Sequence, residues 1–196
     1  MNVTTPDPGR SGLPVMVWIH GSAFQVGSNT LATFDGAACL ARRGVVVVAI
    51  NYRLGAPGFA EIDGAPSNRG IRDQIAALEW VHENIHAFGG DPANVTVFGT
   101  SAGGVSAALL FASPRAEGLF HRVIVQSGGG GTMVAEPEDA RRVSRDWSRR
   151  LGVEPDAATL GGTAREDLIA AQLATIHDFE NDPAPTRWGS STVARS

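Results

Sequence analysis

A strand-like segment that runs into a glycine-flanked serine is the feature that most constrains the fold of this chain. Residues 95–98 (VTVF) are largely apolar and β-branched, residues 99–103 (GTSAG) follow at once, and residues 105–111 are rich in alanine and leucine. A strand that turns sharply into a helix needs a minimal side chain on each side of the turn, because the two elements touch there. The pattern therefore predicts that Ser101 lies at a strained turn between a strand and a helix.

Two other interpretations of this segment are possible from the motif alone. It could be a Gly/Ser loop that joins two elements, or a turn that holds a phosphate at a helix N-terminus. A nucleotide-binding doubly wound domain needs a Gly-rich turn after its first strand and an acidic residue at the end of the next. The first strand here leads instead into residues 20–23 (HGSA), and the next ends in residues 51–53 (NYR), so the nucleotide-binding interpretation is weak.

The composition of the chain argues against several classes of binding partner. The chain has 196 residues, a formal net charge of −4 and one cysteine, Cys39. The negative charge gives no electrostatic attraction to nucleic acid or to an anionic membrane. No cluster of ligand residues has metal-binding spacing, so no metal or cofactor is expected. We expect Cys39 to be a small core residue, and the lack of a signal-peptide pattern favours a cytoplasmic location.

Apolar runs alternate with helical patterns along most of the chain. Strands are predicted at 2–5, 14–19, 45–50, 95–98 and 122–126, and helices at 31–43, 69–88, 105–111, 137–151 and 165–173. This alternation is typical of an α/β fold whose mostly parallel, twisted sheet carries helices on both faces. Residues 1–175 are predicted to be the nucleophile-bearing part of such a domain, and the polar residues 176–196 an irregular C-terminal tail.

The same residues supply groups for acyl transfer. That chemistry needs a nucleophile, a base and hydrogen-bond donors for the oxyanion. Ser101 is the candidate nucleophile, and the N–H of Ala102 at the start of the helix is a candidate donor. The small residues 20–23 follow an earlier strand, where a second source of donors is expected, although the same pattern would suit a plain strand-to-helix turn.

Six segments, in order, resemble the type-B carboxylesterase family of α/β-hydrolases, which includes bacterial para-nitrobenzyl esterases and cholinesterases. The segments are 14–24 (PVMVWIHGSAF), 50–54 (INYRL), 68–74 (NRGIRDQ), 87–96 (AFGGDPANVT), 98–104 (FGTSAGG) and 120–128 (FHRVIVQSG). The resemblance implies a serine carboxylesterase that hydrolyses small carboxylic esters through an acyl-serine intermediate, without a cofactor. It makes Ser101 the acylated nucleophile, with the N–H groups of Ser22, Ala23 and Ala102 as the oxyanion hole.

The chain departs from the family pattern in its side chains. The family usually has Gly at the positions of Ser22 and Ala23, which implies a narrower or stiffer oxyanion hole here. It usually has Glu at the position of Thr100, near the catalytic histidine. The loss of that carboxylate bears on the pH profile and on any preference for cationic substrates.

The chain is also shorter than the family pattern. Family members extend beyond both ends of this sequence, and their acid and histidine follow the serine in the missing part, so the chain is expected to be truncated at both ends. Of the two histidines after Ser101, His121 matches a structural position and His177 is the one candidate for a replacement base. A catalytically silent binding protein of the same fold is the alternative.

Overall fold

The computed structural model describes residues 1–31, 36–128, 134–180 and 193–194. These residues form two compact units, and each is described by itself. The first unit combines Met1–Tyr52 with Ile71–Gly130, and the second combines Arg53–Gly70 with Gly131–Ser196.

A five-stranded sheet forms the centre of the first unit. Its strands are β1 (Asn2–Thr4), β2 (Leu13–Ile19), β3 (Val46–Ile50), β4 (Gly90–Thr100) and β5 (Arg122–Gln126). Their order is β1-β3-β2-β4-β5, with β1 antiparallel to β3 and the other pairs parallel. The predicted mostly parallel sheet is confirmed. Its middle strands have continuous apolar sequences because both of their faces are covered.

Helices cover the sheet at α1 (Ala37–Ala41), α3 (Arg69–Asn84) and α4 (Ala102–Ala112). Helix α3 and the 3₁₀ turn that follows it at Ile85–Phe88 together cover the range predicted to be helical, 69–88. The residues that they bury include Ile71, Ile75, Leu78, Val81 and Ile85. Gly89 then ends the turn with a left-handed backbone (φ 83°) that favours glycine.

Two expectations near α1 are corrected. The helix predicted over 31–43 is limited to Ala37–Ala41 in the described chain, and residues 32–35 lie outside the description. Cys39 is exposed and not part of the core. The reason is that α1 is a short helix in which Ala41 is the one buried residue, and Cys39 lies on its exposed side.

The second unit contains α2 (Gly55–Phe59), α5 (Pro137–Leu151), α6 (Ala157–Gly161), α7 (Arg165–Glu180) and the strand pair β6 (Val134–Ala135) and β7 (Val193–Ala194). Its core is built around Trp147, Leu160 and Ala171. The indole of Trp147 donates a hydrogen bond to the Leu168 carbonyl (3.2 Å), which ties α5 to α7.

Helix α7 is longer than predicted. It continues to Glu180, so residues 176–180 are helical, whereas irregular chain was predicted from residue 176. Its buried positions include Ala171 and Thr175, which are small or polar and give a weak hydrophobic pattern. Apart from β7, residues 181–196 lie outside the description, and the proposed division at residue 175 stays a prediction.

A buried arginine organises the segment around α2. Arg69 is only 5% exposed, and its guanidinium donates hydrogen bonds to four backbone carbonyls. The acceptors are Pro57 (2.8 Å), Ala60 (2.8 Å), Pro66 (2.9 Å) and Ala56 (3.1 Å). One side chain therefore joins both ends of the 56–66 segment.

The outer strand β5 carries exposed apolar side chains. Ile124 is 43% and Val125 40% exposed, and within the described sheet β5 pairs only with β4. Successive strand residues point to opposite faces, so both faces of this edge are open. Such an edge is a template for pairing with another chain.

We therefore expect the isolated chain to self-associate as its concentration rises, as judged by sedimentation velocity. Ile124→Lys should shift the population towards monomer, because a lysine on an edge strand opposes pairing. Val26→Lys is the matched control, since Val26 is 61% exposed but lies outside the sheet. A parent chain that stays monomeric at high concentration and melts in one sharp transition would contradict the expectation.

Candidate active site

The carboxyl ends of the parallel strands meet at one edge of the first unit. Ile19 of β2 lies beside Ile50 of β3 and Gly99 of β4, and Thr100 of β4 lies beside Gln126 of β5. The segments that follow these strands therefore start close together. This is the edge at which open α/β sheets bind ligands.

Ser101 occupies the turn between β4 and α4. Its backbone has φ 54° and ψ −123°, a region in which a residue other than glycine is strained, and the residue is exposed. Its N–H donates to the Gln126 carbonyl (2.9 Å), and its carbonyl accepts from the Val105 N–H (2.9 Å). The predicted strained turn is confirmed, with its backbone held from β5 and from the first turn of α4.

The glycines on either side of Ser101 are required by close contacts. A Cβ added to Gly103 would overlap the carbonyl oxygen of Ile19 and lie 2.8 Å from its carbonyl carbon. A Cβ added to Gly99 would overlap the carbonyl of Gly103. Real Cβ atoms essentially never approach other atoms below 3.0 Å. The turn therefore packs directly against the end of β2.

The loop after β2 touches this turn. A Cβ added to Gly21 would lie 2.8 Å from the Thr100 carbonyl oxygen and 3.3 Å from the Cβ of Ser101. The next three residues, Ser22, Ala23 and Phe24, have φ values of 82°, 55° and 61°. Three successive left-handed residues with side chains make a strained, conformationally restricted loop. Ser22 and Ala23 thus lie on the loop that contacts the turn, and Ala102 is the first residue of α4.

Two aromatic side chains support this loop from inside the unit. His20 is fully buried, its Nδ1 lies 3.0 Å from the Gly21 carbonyl oxygen, and its ring stacks on Tyr52 with centroids 4.7 Å apart. The Tyr52 hydroxyl donates to the His20 carbonyl (3.0 Å). Burial lowers the pKa of His20 and raises the pKa of Tyr52, so both side chains are neutral at pH 7.

Sequence reasoning missed Tyr52. The available signal was that the only tyrosine of the chain comes two residues after the most apolar strand, at the same sheet edge as Ser101.

Within the described ranges, no histidine of the first unit forms a hydrogen bond with Ser101. His121 donates its backbone N–H to the Val95 carbonyl (2.8 Å). Because β4 rises about 3.3 Å per residue, Val95 lies roughly 16 Å from Thr100. His82 and His86 are exposed on α3 and the turn after it. No residue in the described ranges forms a hydrogen bond with the Ser101 hydroxyl.

His177 belongs to the second unit. It is exposed on the last turn of α7, and its Nδ1 lies 3.4 Å from an oxygen of Asp178. Asp178 also forms an ion pair with Arg150 (2.5 Å). The hydrogen bond and positive charge that Arg150 supplies, with a smaller contribution from His177, lower the pKa of Asp178.

A cavity of about 400 Å³ lies at the end of α4 that is far from Ser101. Its lining includes Phe111, Pro114, Phe120 and His121. Within 1–31, 36–128, 134–180 and 193–194, no three His, Cys, Asp or Glu side chains are grouped so as to hold a metal. In the same ranges, no helix combines the length and apolarity needed to cross a membrane.

The chain resembles known esterases over almost its whole length. The model of the carboxylesterase family matches residues 1–185. Para-nitrobenzyl esterase of Bacillus subtilis (strain 168) is 46% identical over 187 residues, which cover 92% of this chain and 38% of that protein. A probable N-octanoylanthranilate hydrolase, AqdA2 of Rhodococcus erythropolis, is 42% identical over 179 residues, or 90% of this chain and 38% of that protein.

Solved structures give the same result. A thermophilic PNB esterase superposes with a TM-score of 0.86 at 41% identity, covering 99% of this chain and 40% of the other. The carboxylesterase EST55 of Geobacillus stearothermophilus gives a TM-score of 0.83 at 37% identity, covering 97% of this chain and 40% of the other. The chain therefore has the α/β-hydrolase fold and spans about two fifths of the length of these relatives.

Proposed function

Because this chain belongs to the carboxylesterase family, we propose that Ser101 is the acylated nucleophile of a serine carboxylesterase. The observation that carries the proposal is the contact between the strained Ser101 turn and the loop at Gly21. Ser22 and Ala23 follow Gly21 on this loop and Ala102 follows Ser101, so the N–H groups of all three belong to the two segments in contact. We assign these three groups to the oxyanion hole.

The proposed reaction follows from these groups. The Ser101 hydroxyl attacks the ester carbonyl carbon and gives its proton to a base, and the carbonyl oxygen becomes an oxyanion held by the three N–H donors. The intermediate then expels the alcohol and leaves an acyl-serine, which water hydrolyses by the same steps. Loss of one such donor typically slows the reaction by about 10²–10³.

We further propose that the acid and the histidine of the triad lie outside these 196 residues. The positions of His82, His86 and His121 support this, because each is on another part of the first unit. In this fold the acid and then the histidine follow the nucleophile along the chain. His177 acting as base, and a silent protein that binds without turnover, are the alternatives.

The substrate is proposed as a small-molecule ester. Two relatives are named for the compounds that they hydrolyse, a para-nitrobenzyl ester in one case and N-octanoylanthranilate in the other. From these two relatives we infer for this chain only the type of reaction, which is attack of a nucleophile on an acyl carbonyl carbon without a cofactor.

The proposal is tested by hydrolysis of short p-nitrophenyl esters together with fluorophosphonate labelling. Loss of the histidine costs such a triad about 10⁶ in turnover, and the remaining groups retain roughly 10³–10⁴ over water. The 196-residue chain should therefore be a very poor esterase, and Ser101→Ala should change its rate little. Ser113→Ala, at the other end of α4, is the matched control.

Each other outcome points to a different arrangement. Robust turnover that disappears in both Ser101→Ala and His177→Ala would make His177 the base. Turnover lost with Ser101→Ala alone would indicate a base from another residue or a second chain. Robust turnover that survives Ser101→Ala would contradict the assignment of the nucleophile.

A further inference from the structure

We propose that His20 is a positioning residue for the oxyanion hole: its Nδ1–H holds the Gly21 carbonyl and thereby directs the Ser22 N–H. This inference rests on the proposed function, because it assumes that the Ser22 N–H meets an oxyanion. His20 itself is buried and does not reach the substrate. It acts through the backbone of the next two residues.

The peptide bond between Gly21 and Ser22 is planar. The Gly21 carbonyl and the Ser22 N–H belong to one trans peptide unit, so they point in opposite directions. The 3.0 Å contact between His20 Nδ1 and the Gly21 oxygen fixes the direction of that carbonyl. Fixing the carbonyl fixes the N–H on the other side of the same plane.

The hydrogen bond also settles the protonation of the ring. A carbonyl oxygen only accepts, so Nδ1 carries the proton and Nε2 is the unprotonated nitrogen. Nε2 is buried, and none of the described residues bonds to it. Burial lowers the pKa of His20, which agrees with a neutral ring, because an imidazolium would bury an N–H without an acceptor.

The ring has little freedom to move. Tyr52 stacks on one face of it, with 22° between the planes, and also donates its hydroxyl proton to the His20 carbonyl. Gly27 leaves room at the edge of the ring, where an added Cβ would lie 2.8 Å from Nδ1 and 2.9 Å from Cε1. The donor is thus held in place from two sides.

The hydrogen bond matters because the loop that it holds is strained. Ser22 has φ 82°, and a residue with a Cβ favours negative φ. Rotation of the Gly21–Ser22 peptide plane would relieve this strain and turn the N–H away. The bond from His20 opposes that rotation.

Two substitutions separate the hydrogen bond from the bulk of the ring. His20→Asn places an amide nitrogen where Nδ1 stood and keeps a donor, whereas His20→Leu fills space without one. The readouts on the 196-residue chain are the ¹⁵N shifts of the His20 ring, the amide signal of Ser22 and the rate of phosphonylation of Ser101 by a fluorophosphonate. Melting temperature is followed in parallel.

We expect the Nδ1–H tautomer in the parent chain. His20→Leu should shift the Ser22 amide signal and slow phosphonylation by at least about tenfold, whereas His20→Asn should keep both close to the parent values. Gly27→Ala should behave like His20→Leu, since its Cβ displaces the ring. Gly44→Ala is the matched control, because Gly44 also has positive φ (81°) but open space around it.

Failure of the positioning role of His20 can be distinguished from failure of the proposed function. An Nε2–H tautomer, or a Ser22 amide signal that is the same in the parent and His20→Leu, would overturn the positioning role whether or not Ser101 reacts. Phosphonylation of the parent chain that persists in Ser101→Ala would count against the proposed function, and the two NMR readouts would then decide the role of His20. The positioning role would also be overturned if His20→Asn and His20→Leu lost phosphonylation to the same extent, in proportion to their fall in melting temperature.

Discussion

Replacing Gly103 with alanine is expected to lower the free energy of unfolding by roughly 4 kcal/mol, near the upper end for a single substitution. The added methyl group would occupy the position of the Ile19 carbonyl oxygen, which belongs to the backbone of a central strand and has little freedom to move. Relief requires α4 to move away from β2, which would displace Ser101. Stability and fluorophosphonate labelling should therefore be lost together.

The measurement is urea unfolding followed by circular dichroism. Gly161→Ala is the matched control, since Gly161 is also helical and an added Cβ there meets nothing within 4 Å. Alanine has the higher helix propensity, so the control should be neutral or slightly stabilised. Equal stability of Gly103→Ala and the parent chain would contradict the packing of α4 against β2.

Replacing Arg69 with leucine is expected to cost about 3–5 kcal/mol. The substitution removes the donor of four hydrogen bonds and leaves the carbonyls of residues 56, 57, 60 and 66 without it. Arg69→Lys should recover only part of the loss, because an ammonium group cannot reproduce the planar fork of a guanidinium.

Thermal unfolding and limited proteolysis within residues 56–66 check this expectation. The control is Arg141→Leu, an exposed arginine on α5, which should change the free energy of unfolding by no more than about 0.5 kcal/mol. Proteolysis that is unchanged in Arg69→Leu would show that the segment is held by its other contacts.

The sheet could be predicted from the sequence because its strands are covered on both faces. The strand β3 buries Val46, Val48 and Ile50 completely. A strand that is covered on both faces has an uninterrupted apolar sequence. The Ser101 turn could also be predicted, since Gly99 and Gly103 lie four residues apart and pack directly on each other. These features are encoded by neighbouring residues.

The parts that could not be predicted depend on contacts between distant residues. The stacking of His20 on Tyr52 joins two strand ends, and no spacing rule connects those positions. The end of α7 was missed because it buries Thr175, which carries no hydrophobic signal, and Cys39 was placed in the core by its residue type alone. The left-handed φ of Ser22 and Ala23 contradicts their intrinsic preferences and follows from tertiary packing.

The order of strands in the sheet has a consequence for the stage of folding at which Ser101 reaches its strained turn. β4 lies beside β2, but the chain between them includes α1, β3, α2 and α3. Closing so long a loop is slow and entropically costly, and it precedes any contact between Gly21 and Ser101. During synthesis, β5 is the last of the five sheet strands to emerge, and it supplies the Gln126 carbonyl that holds the Ser101 N–H. We therefore expect that a nascent or partly folded chain does not hold Ser101, the proposed nucleophile, in its strained turn.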